Sequence, residues 1–438
     1  MKPLIRRGLA LTAATAFVLG LAGCGGSDGP AGDASSVADP VATVELRLYW
    51  WGGDARHERT QQAIDAFMAK YPNIKVTGEF SDWSGYWDKL ATSTAGGNSP
   101  DVVQMDQLYL ASYAARDTLT DLGAVSTLDT SQLEPAVLGM GQWGGRQYAM
   151  PVSTAAFGLL VNLDVLDQYG VTLPDTEKWN WDDLKAFGLE IAEKSGGAVA
   201  GVAPMGNEYS LQLFARQKGD NLFEDDQIAI RPETLAAYFQ HALDLAQSGA
   251  GPSASRLSET AGLAIDQSDF ATGKVAAIFS QVSQVSAYTA GSGANVQIVK
   301  TPSFDANQTK YEYFKPGMYW AMSAQTDHPE EAGRLIDFLI NDPEAAAILG
   351  TERGLPANPA MLDSLTATLT ENEAKAVAYS QSLEGLLGDA PAIVPNGASE
   401  LDKIIARYQQ EVLFEQRTAL DAANAMIKEV KDSINSAA

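Results

Sequence analysis

Apolar and polar positions alternate where the folded part of the chain begins. Val44, Leu46, Leu48 and Trp50 are separated by Glu45, Arg47 and Tyr49, the two-residue period of a strand. Ala63, Ile64, Phe67, Met68 and Tyr71 then recur at helical spacing, and Pro72 ends that helix. Ile74 to Phe80 reads as a second strand, about Tyr86 to Ala95 as a helix closing on Gly96-Gly97, and Pro100 to Met105 as a third strand. Strand, helix, strand, helix, strand predicts a doubly wound parallel sheet.

Further along, Gln142 to Tyr148 with Gly144-Gly145 at its centre reads as a tight hairpin leading into Ala149-Met150-Pro151-Val152. Phe157 to Asn162 is a buried strand, and Asn180-Trp181-Asp182-Asp183-Leu184 opens a helix with capping side chains. Asp327-His328-Pro329-Glu330 resembles a capping box before Leu335, Ile336, Phe338 and Leu339, and Asp342-Pro343 caps the helix after it. The last 40 residues carry two apolar stripes at helical spacing, Leu401 to Val412 and Leu420 to Ile434, which predict packing helices. No tandem repeat is visible.

The N-terminus has a different character. Lys2, Arg6 and Arg7 precede an apolar stretch from Gly8 to Ala22, the layout of a secretory signal too short to span a bilayer. Leu21-Ala22-Gly23-Cys24 looks like a bacterial lipobox, and Cys24 is the one cysteine in 438 residues. This predicts a signal peptide over 1–23, a lipidated Cys24 and attachment to the cell membrane on its extracytoplasmic face. Residues 24–43, rich in Gly, Ser, Ala, Asp and Pro, read as a flexible tether. Gly25-Gly26-Ser27-Asp28-Gly29 matches a hydrolase G-x-S-x-G elbow only formally, because no strand precedes it and no helix follows.

Charge narrows the partners. The chain has 30 basic and 55 acidic residues, a net −25, and loss of residues 1–23 would make it −28. Such a surface repels phosphate backbones, so no nucleic acid is expected. With Cys24 committed, no disulfide is possible. His57, His241 and His328 lie in separate segments with no metal-ligand spacing, and there is no phosphate-binding Gly-rich loop, so neither metal nor cofactor is expected.

In open sheets, ligands bind beyond the carboxyl ends of the strands. The first three strands end in Trp50-Trp51-Gly52-Gly53, in Ser81-Asp82-Trp83-Ser84-Gly85-Tyr86-Trp87 and in Asp106-Gln107. Five aromatics and two carboxylates would therefore share one rim. Flat rings suit the C–H faces of a sugar, and Asp or Gln side chains suit its hydroxyls. Trp50 continues the apolar face of its strand and reads as core; Trp51 and Trp83 read as exposed. Tyr319-Trp320, after Pro316-Gly317, forms a second aromatic candidate. Trp179 and Trp181 read as packing. A glycosidase using a pair such as Asp82 and Asp106 is an open alternative.

The lipobox, the tether, Trp50-Trp51-Gly52-Gly53 and Pro100-Asp101-Val102-Val103-Gln104-Met105-Asp106 together resemble the extracellular solute-binding proteins of bacterial carbohydrate ABC transporters, the maltose-binding-like group. The resemblance continues through Tyr148 to Val152, Trp181 to Leu184, Pro316-Gly317 and Gly354-Leu355-Pro356-Ala357. It implies an α/β, two-lobe periplasmic-binding-protein-like fold, with doubly wound sheets joined by hinge crossovers. Lobe one would hold 44–152 and 302–341, and lobe two 153–301 and 342–438. Ligand-binding positions carry over to Trp51, Asp82, Trp83 and Asp106, then to Ser153, Gln281, Tyr319, Trp320 and Arg353, with Met205 a further candidate; Trp50, Tyr86 and Gln107 join them from the rim. The function implied is non-enzymatic capture of a sugar or oligosaccharide by a monomer, for delivery to ABC permease subunits. Trp51-Gly52-Gly53 with Arg56-His57 and Trp83-Ser84-Gly85-Tyr86 looks like a subset taking up plant cell-wall fragments; for a uronate, Arg56, Arg59 or Arg353 could pair with the carboxylate. The rivals are a surface lipoprotein glycosidase and the same fold binding a polyamine.

Overall fold

The computed structural model describes residues 43–290, 292–305 and 307–437. The segments expected as signal peptide and tether, with Cys24, lie outside the described residues.

Along the chain, β1 (Val44–Trp51), α1 (Asp54–Lys70), β2 (Ile74–Ser81), α2 (Trp83–Ala95), β3 (Val102–Met105) and α3 (Gln107–Ala114) alternate as the periodicity predicts. Then come β4 (Ala149–Pro151), β5 (Ser153–Ala155), β6 (Phe157–Asn162), β7 (Ala200–Val202), α4 (Glu208–Gln217), β8 (Val275–Gln281) and β9 (Val296–Val299). The chain continues through β10 (Lys315–Pro316), β11 (Tyr319–Met322), α5 (Pro329–Asn341), α6 (Pro343–Leu349), β12 (Leu355–Pro356), α7 (Glu371–Ser382), α8 (Leu401–Leu413) and α9 (Ala419–Ala437).

Two main sheets result, one per lobe. The first has the order β2-β1-β3-β11-β4. It is parallel across β2, β1 and β3, but β11 runs antiparallel to both β3 and β4, so the sheet is mixed rather than wholly parallel. Alternation along β1 explains its two layers: Leu46, Leu48 and Trp50 enter a core with Ala63, Ile64 and Phe67 of α1 and Leu335 and Ile336 of α5. Tyr49 and Trp51 point the other way, into a cluster with Tyr86, Trp87 and Leu90 of α2. The second sheet, β9-β6-β8-β7, is antiparallel except for the β8–β7 pair. All six residues of β6 are buried, which is why this strand reads as a continuous apolar run.

A third, narrow sheet, β10-β5-β12, joins the two, with both flanking strands antiparallel to β5. These are the crossings. Tyr313 packs in the core around the second sheet, whereas Ala345, Leu349 and Ala357 belong to the core around the first. Ser153 of β5 is wedged between two glycines; a Cβ on Gly317 would come within 2.7 Å of its hydroxyl, and one on Gly354 within 2.9 Å. Gly354 also has a φ of +101°, so a side chain there is excluded twice over.

Of the three helix starts the sequence marks with capping side chains, two form as expected and one does not. Asn180 and Asp342 accept backbone N–H groups as expected. The capping box at Asp327 to Glu330 does not form: His328 is the N-cap without a side-chain bond, and Glu330 instead accepts from the hydroxyl of Ser126 at 2.8 Å and the backbone N–H of Thr127. No described helix is long and apolar enough to cross a membrane.

Candidate functional site

The tips of β1, β2 and β3 meet on one rim. Trp51 pairs in register with Ser81, which brings its indole beside the first turn of α2. There Trp83, 44% exposed, stands edge-on to Trp51 at 5.0 Å between ring centroids and to Trp87 at 5.5 Å. Trp87 in turn lies flat on Tyr109 of α3 at 3.7 Å and 15°. Asp82 and Asp106 cap the two helices that carry these rings. Asp82 accepts from the Gly85 N–H at 2.8 Å, and Asp106 from the Leu108 N–H at 2.9 Å.

Residues from the crossing strands and the second lobe complete the site. Lys315 of β10 reaches the Glu208 carboxylate at 2.5 Å, and the Glu208 N–H donates to Asp402 at 2.7 Å. Asp106 and Asp402 interact electrostatically with both Lys315 and Glu208. Burial pushes the Asp106 and Asp402 carboxyls above the ordinary carboxylate range, against the pull of Lys315. Burial disfavours the Lys315 ammonium too, but Glu208, Asp106 and Asp402 together outweigh it and hold its pKa above the ordinary value. Burial, then Glu400 and Asp106, pushes the Tyr109 hydroxyl up to about 12, so it stays protonated and can donate. The Ser112 hydroxyl of α3 donates to Asn396 at 3.0 Å, a further link from the rim to the C-terminal segment. The exposed Trp83 ring, braced edge-on by Trp51 and Trp87 and set beside fixed acceptors, an ammonium and a phenol, can stack a flat polyol face and satisfy its hydroxyls. Among the described residues no group of three His, Cys, Asp or Glu is arranged to hold a metal ion.

Residues 62–377 match the model of the bacterial extracellular solute-binding protein family. The chain belongs to that family. Among relatives of this solute-binding protein, a maltodextrin-binding protein of Bacillus subtilis strain 168 is 24% identical over 363 residues, 82% of each chain. An uncharacterized lipoprotein of Streptomyces antibioticus from the oleD 5′ region is 27% identical over 212 residues, 45% of this chain but only 44% of that protein. Among solved structures, a periplasmic oligogalacturonide-binding protein from Yersinia enterocolitica, in complex with saturated digalacturonic acid, superimposes with a TM-score of 0.77. It is 24% identical and the match covers 90% of this chain and 99% of that one, which establishes a shared two-lobe fold.

The structure sorts the sequence-derived candidates of this solute-binding protein into two groups. Trp51, Asp82, Trp83 and Asp106 lie on the rim, although Trp51 is only 7% exposed behind Trp83. Gln281 is half-buried at the end of β8. The others lie in the interior. Trp50 is core, and its indole N–H donates to His57 Nδ1 at 3.0 Å. Tyr86 stacks on Tyr49 at 4.4 Å and donates its hydroxyl to the Gln104 carbonyl. Tyr319 donates to the Met140 carbonyl at 3.0 Å; it and Trp320 sit mid-sheet with no exposure. Gln107, Ser153 and Met205 are buried, and the Met205 carbonyl accepts from Gln409. Arg353 is buried against Thr60 and Gln104. Trp179 and Trp181 pack as expected.

Sequence reasoning missed Tyr109, Glu208, Lys315 and Asp402 as members of the site. Tyr109 carried a signal, being three residues after Asp106 at the start of a helix. The Lys315–Glu208 pair spans 107 residues and carried none.

Proposed function

We propose that this protein is an extracytoplasmic receptor, tethered through a lipidated Cys24, that captures a neutral sugar or oligosaccharide between its lobes and delivers it to the permease subunits of an ABC importer without chemical change. One observation carries the reading. The Trp51–Trp83–Trp87–Tyr109 cluster projects from the strand tips of the first lobe, with Trp83 exposed, beside polar groups contributed by β10, α4 and α8. Closure would then be driven by contacts that the ligand makes with both lobes at once. The maltodextrin-binding relative and the oligogalacturonide-binding structural neighbour support a carbohydrate as cargo.

Charge favours an uncharged sugar over a uronate. Arg56 is engaged with Glu352 at 2.7 Å and Arg59 with the Ile348 and Leu349 carbonyls, and Arg353 is buried below the rim against Gln104 and Thr60. The nearest cation, Lys315, is held by Glu208. Asp82 and Asp106 each spend an oxygen on a helix cap, which supports acceptors of sugar hydroxyls rather than a general acid and its partner.

Titration of intrinsic tryptophan fluorescence with maltodextrins, digalacturonate and spermidine tests this. Saturable quenching or enhancement by neutral oligosaccharides, at micromolar concentration (about −8 kcal/mol), is expected, with recovery of intact sugar. Response to spermidine alone, or turnover of the sugar, overturns it.

A further inference from the structure

Beneath the rim, the first lobe contains a cluster of buried hydrogen-bond donors with nothing to donate to. Arg353 is 5% exposed. Its Nη2 donates to the Thr60 hydroxyl at 2.8 Å and its Nε to Gln104 Oε1 at 3.2 Å, but its Nη1 has no hydrogen-bond partner. The nearest carboxylate oxygen, Glu352 Oε2, is 3.9 Å away, and that same oxygen accepts from Arg56 at 2.7 Å. Two guanidinium groups therefore share one carboxylate. Burial first, then Arg56, lowers its pKa to about 9 despite Glu352, as for a cation short of a counter-ion.

The neighbours repeat the pattern. An arginine Nε can only donate, so Gln104 must turn its oxygen toward Arg353, which leaves its Nε2 fully buried and unpartnered. Trp320 is paired in register with Gln104 on the adjacent strand, and its indole N–H is likewise buried and unpartnered. The Arg353 guanidinium carbon is 5.2 Å from the Trp320 ring centroid. The Ser153 hydroxyl, confined between Gly317 and Gly354, is a fourth buried group without a partner. A cavity of about 30 Å³ touches Arg353, though not Gln104, Trp320 or Ser153, and is otherwise walled by Val152, Gly354 and largely apolar side chains such as Leu339 and Leu349. About 10–15 Å³ suffices for one water-sized occupant.

Leaving such donors empty costs roughly 1–3 kcal/mol each, more for a charged group. A water could accept from two of them, but its own two protons would face a set of groups that mostly donate. An anion has no protons to place and supplies the missing negative charge. We propose that the interior of the first lobe binds a single small monovalent anion, of chloride size, against Arg353 Nη1, with the Gln104 amide and the Trp320 indole as the adjacent unpartnered donors. It sits beside β5 and the turn into β12, where it would tie two crossing strands to the first sheet. This inference does not depend on what the cleft binds.

The test compares the unfolding midpoint of the protein in sodium chloride and in sodium gluconate at equal ionic strength, together with a crystal grown in sodium bromide. Chloride is expected to raise Tm saturably by roughly 2–4 °C per kcal/mol of linked binding, and bromide to give an anomalous peak beside Arg353 Nη1. The Gln104→Glu variant keeps the acceptor for Arg353 and builds in the negative charge, so it should lose the chloride response and the bromide peak. Should that variant fail to fold, the wild-type bromide crystal decides alone. A water without anomalous signal at that position, or a Tm set only by ionic strength, overturns the proposal.

Discussion

Two aromatic groups in this protein look alike in sequence and differ in fate. Trp50-Trp51 with Trp83 and Tyr319-Trp320 each stand beside glycine and each lie near the end of an apolar run. Trp83 falls just past the end of β2, on the first turn of α2, where no neighbouring strand covers it. Tyr319 and Trp320 fall inside β11, between β3 and β4, where register pairing on both sides leaves them no exposure. Exposure is decided by position relative to the strand tip rather than by aromatic content or by nearby glycine.

The sharpest way to break this contrast is to truncate the two rings separately. Trp320→Ala should cost about 3–5 kcal/mol of stability, read as a lower midpoint in denaturant. If the fold tolerates it with little loss, Trp320 is not the core residue described. Lys315→Met is expected to cost about 3 kcal/mol, because it leaves Glu208 buried without its partner. Adding Glu208→Gln should recover much of that loss, and failure to do so would detach the pair from the stability of the site. Trp83→Ala should weaken sugar binding by at least tenfold, about 1.4 kcal/mol, with Tm nearly unchanged; isothermal titration and thermal melts together read it. The smallest effect is on pH dependence. Asp106 has a raised folded-state pKa, so its contribution to stability is fully present below the ordinary carboxyl pKa and is lost as pH rises through the elevated value. Asp106→Asn should flatten the ligand-free Tm profile in that window, beginning near pH 4 and extending upward. An unchanged slope would leave Asp402 or other acids as its source.

Much of the first lobe is legible in its sequence because its strands alternate cleanly and its helices are amphipathic. β1, α1, β2 and β3 fall within about two residues of the ranges that periodicity predicts, apart from the N-terminus of α1, while α2 starts earlier, at Trp83. The antiparallel insertion of β11 into this sheet is not legible, since Tyr319 to Met322 is buried throughout and a fully apolar run carries no direction. The rim is partly legible: the rule that ligands sit at strand ends selected Trp51, Trp83 and Asp106. It also selected Tyr86, whose place one turn into α2 points it inward at Tyr49 instead. The members missed are those that tertiary folding brings from far along the chain. Glu208 and Asp402 begin helices of the second lobe, and nothing local marks them as neighbours of Asp106.

The ribbon β10-β5-β12 has one further consequence. Its three short strands are hydrogen-bonded edge to edge, so the closure proposed above would turn about them together. In that proposal, a rotation that narrows the mouth near Trp83 would widen the flank on the other side of the ribbon. A dye pair attached across that far flank would report occupancy without touching any ring or carboxylate that meets the cargo.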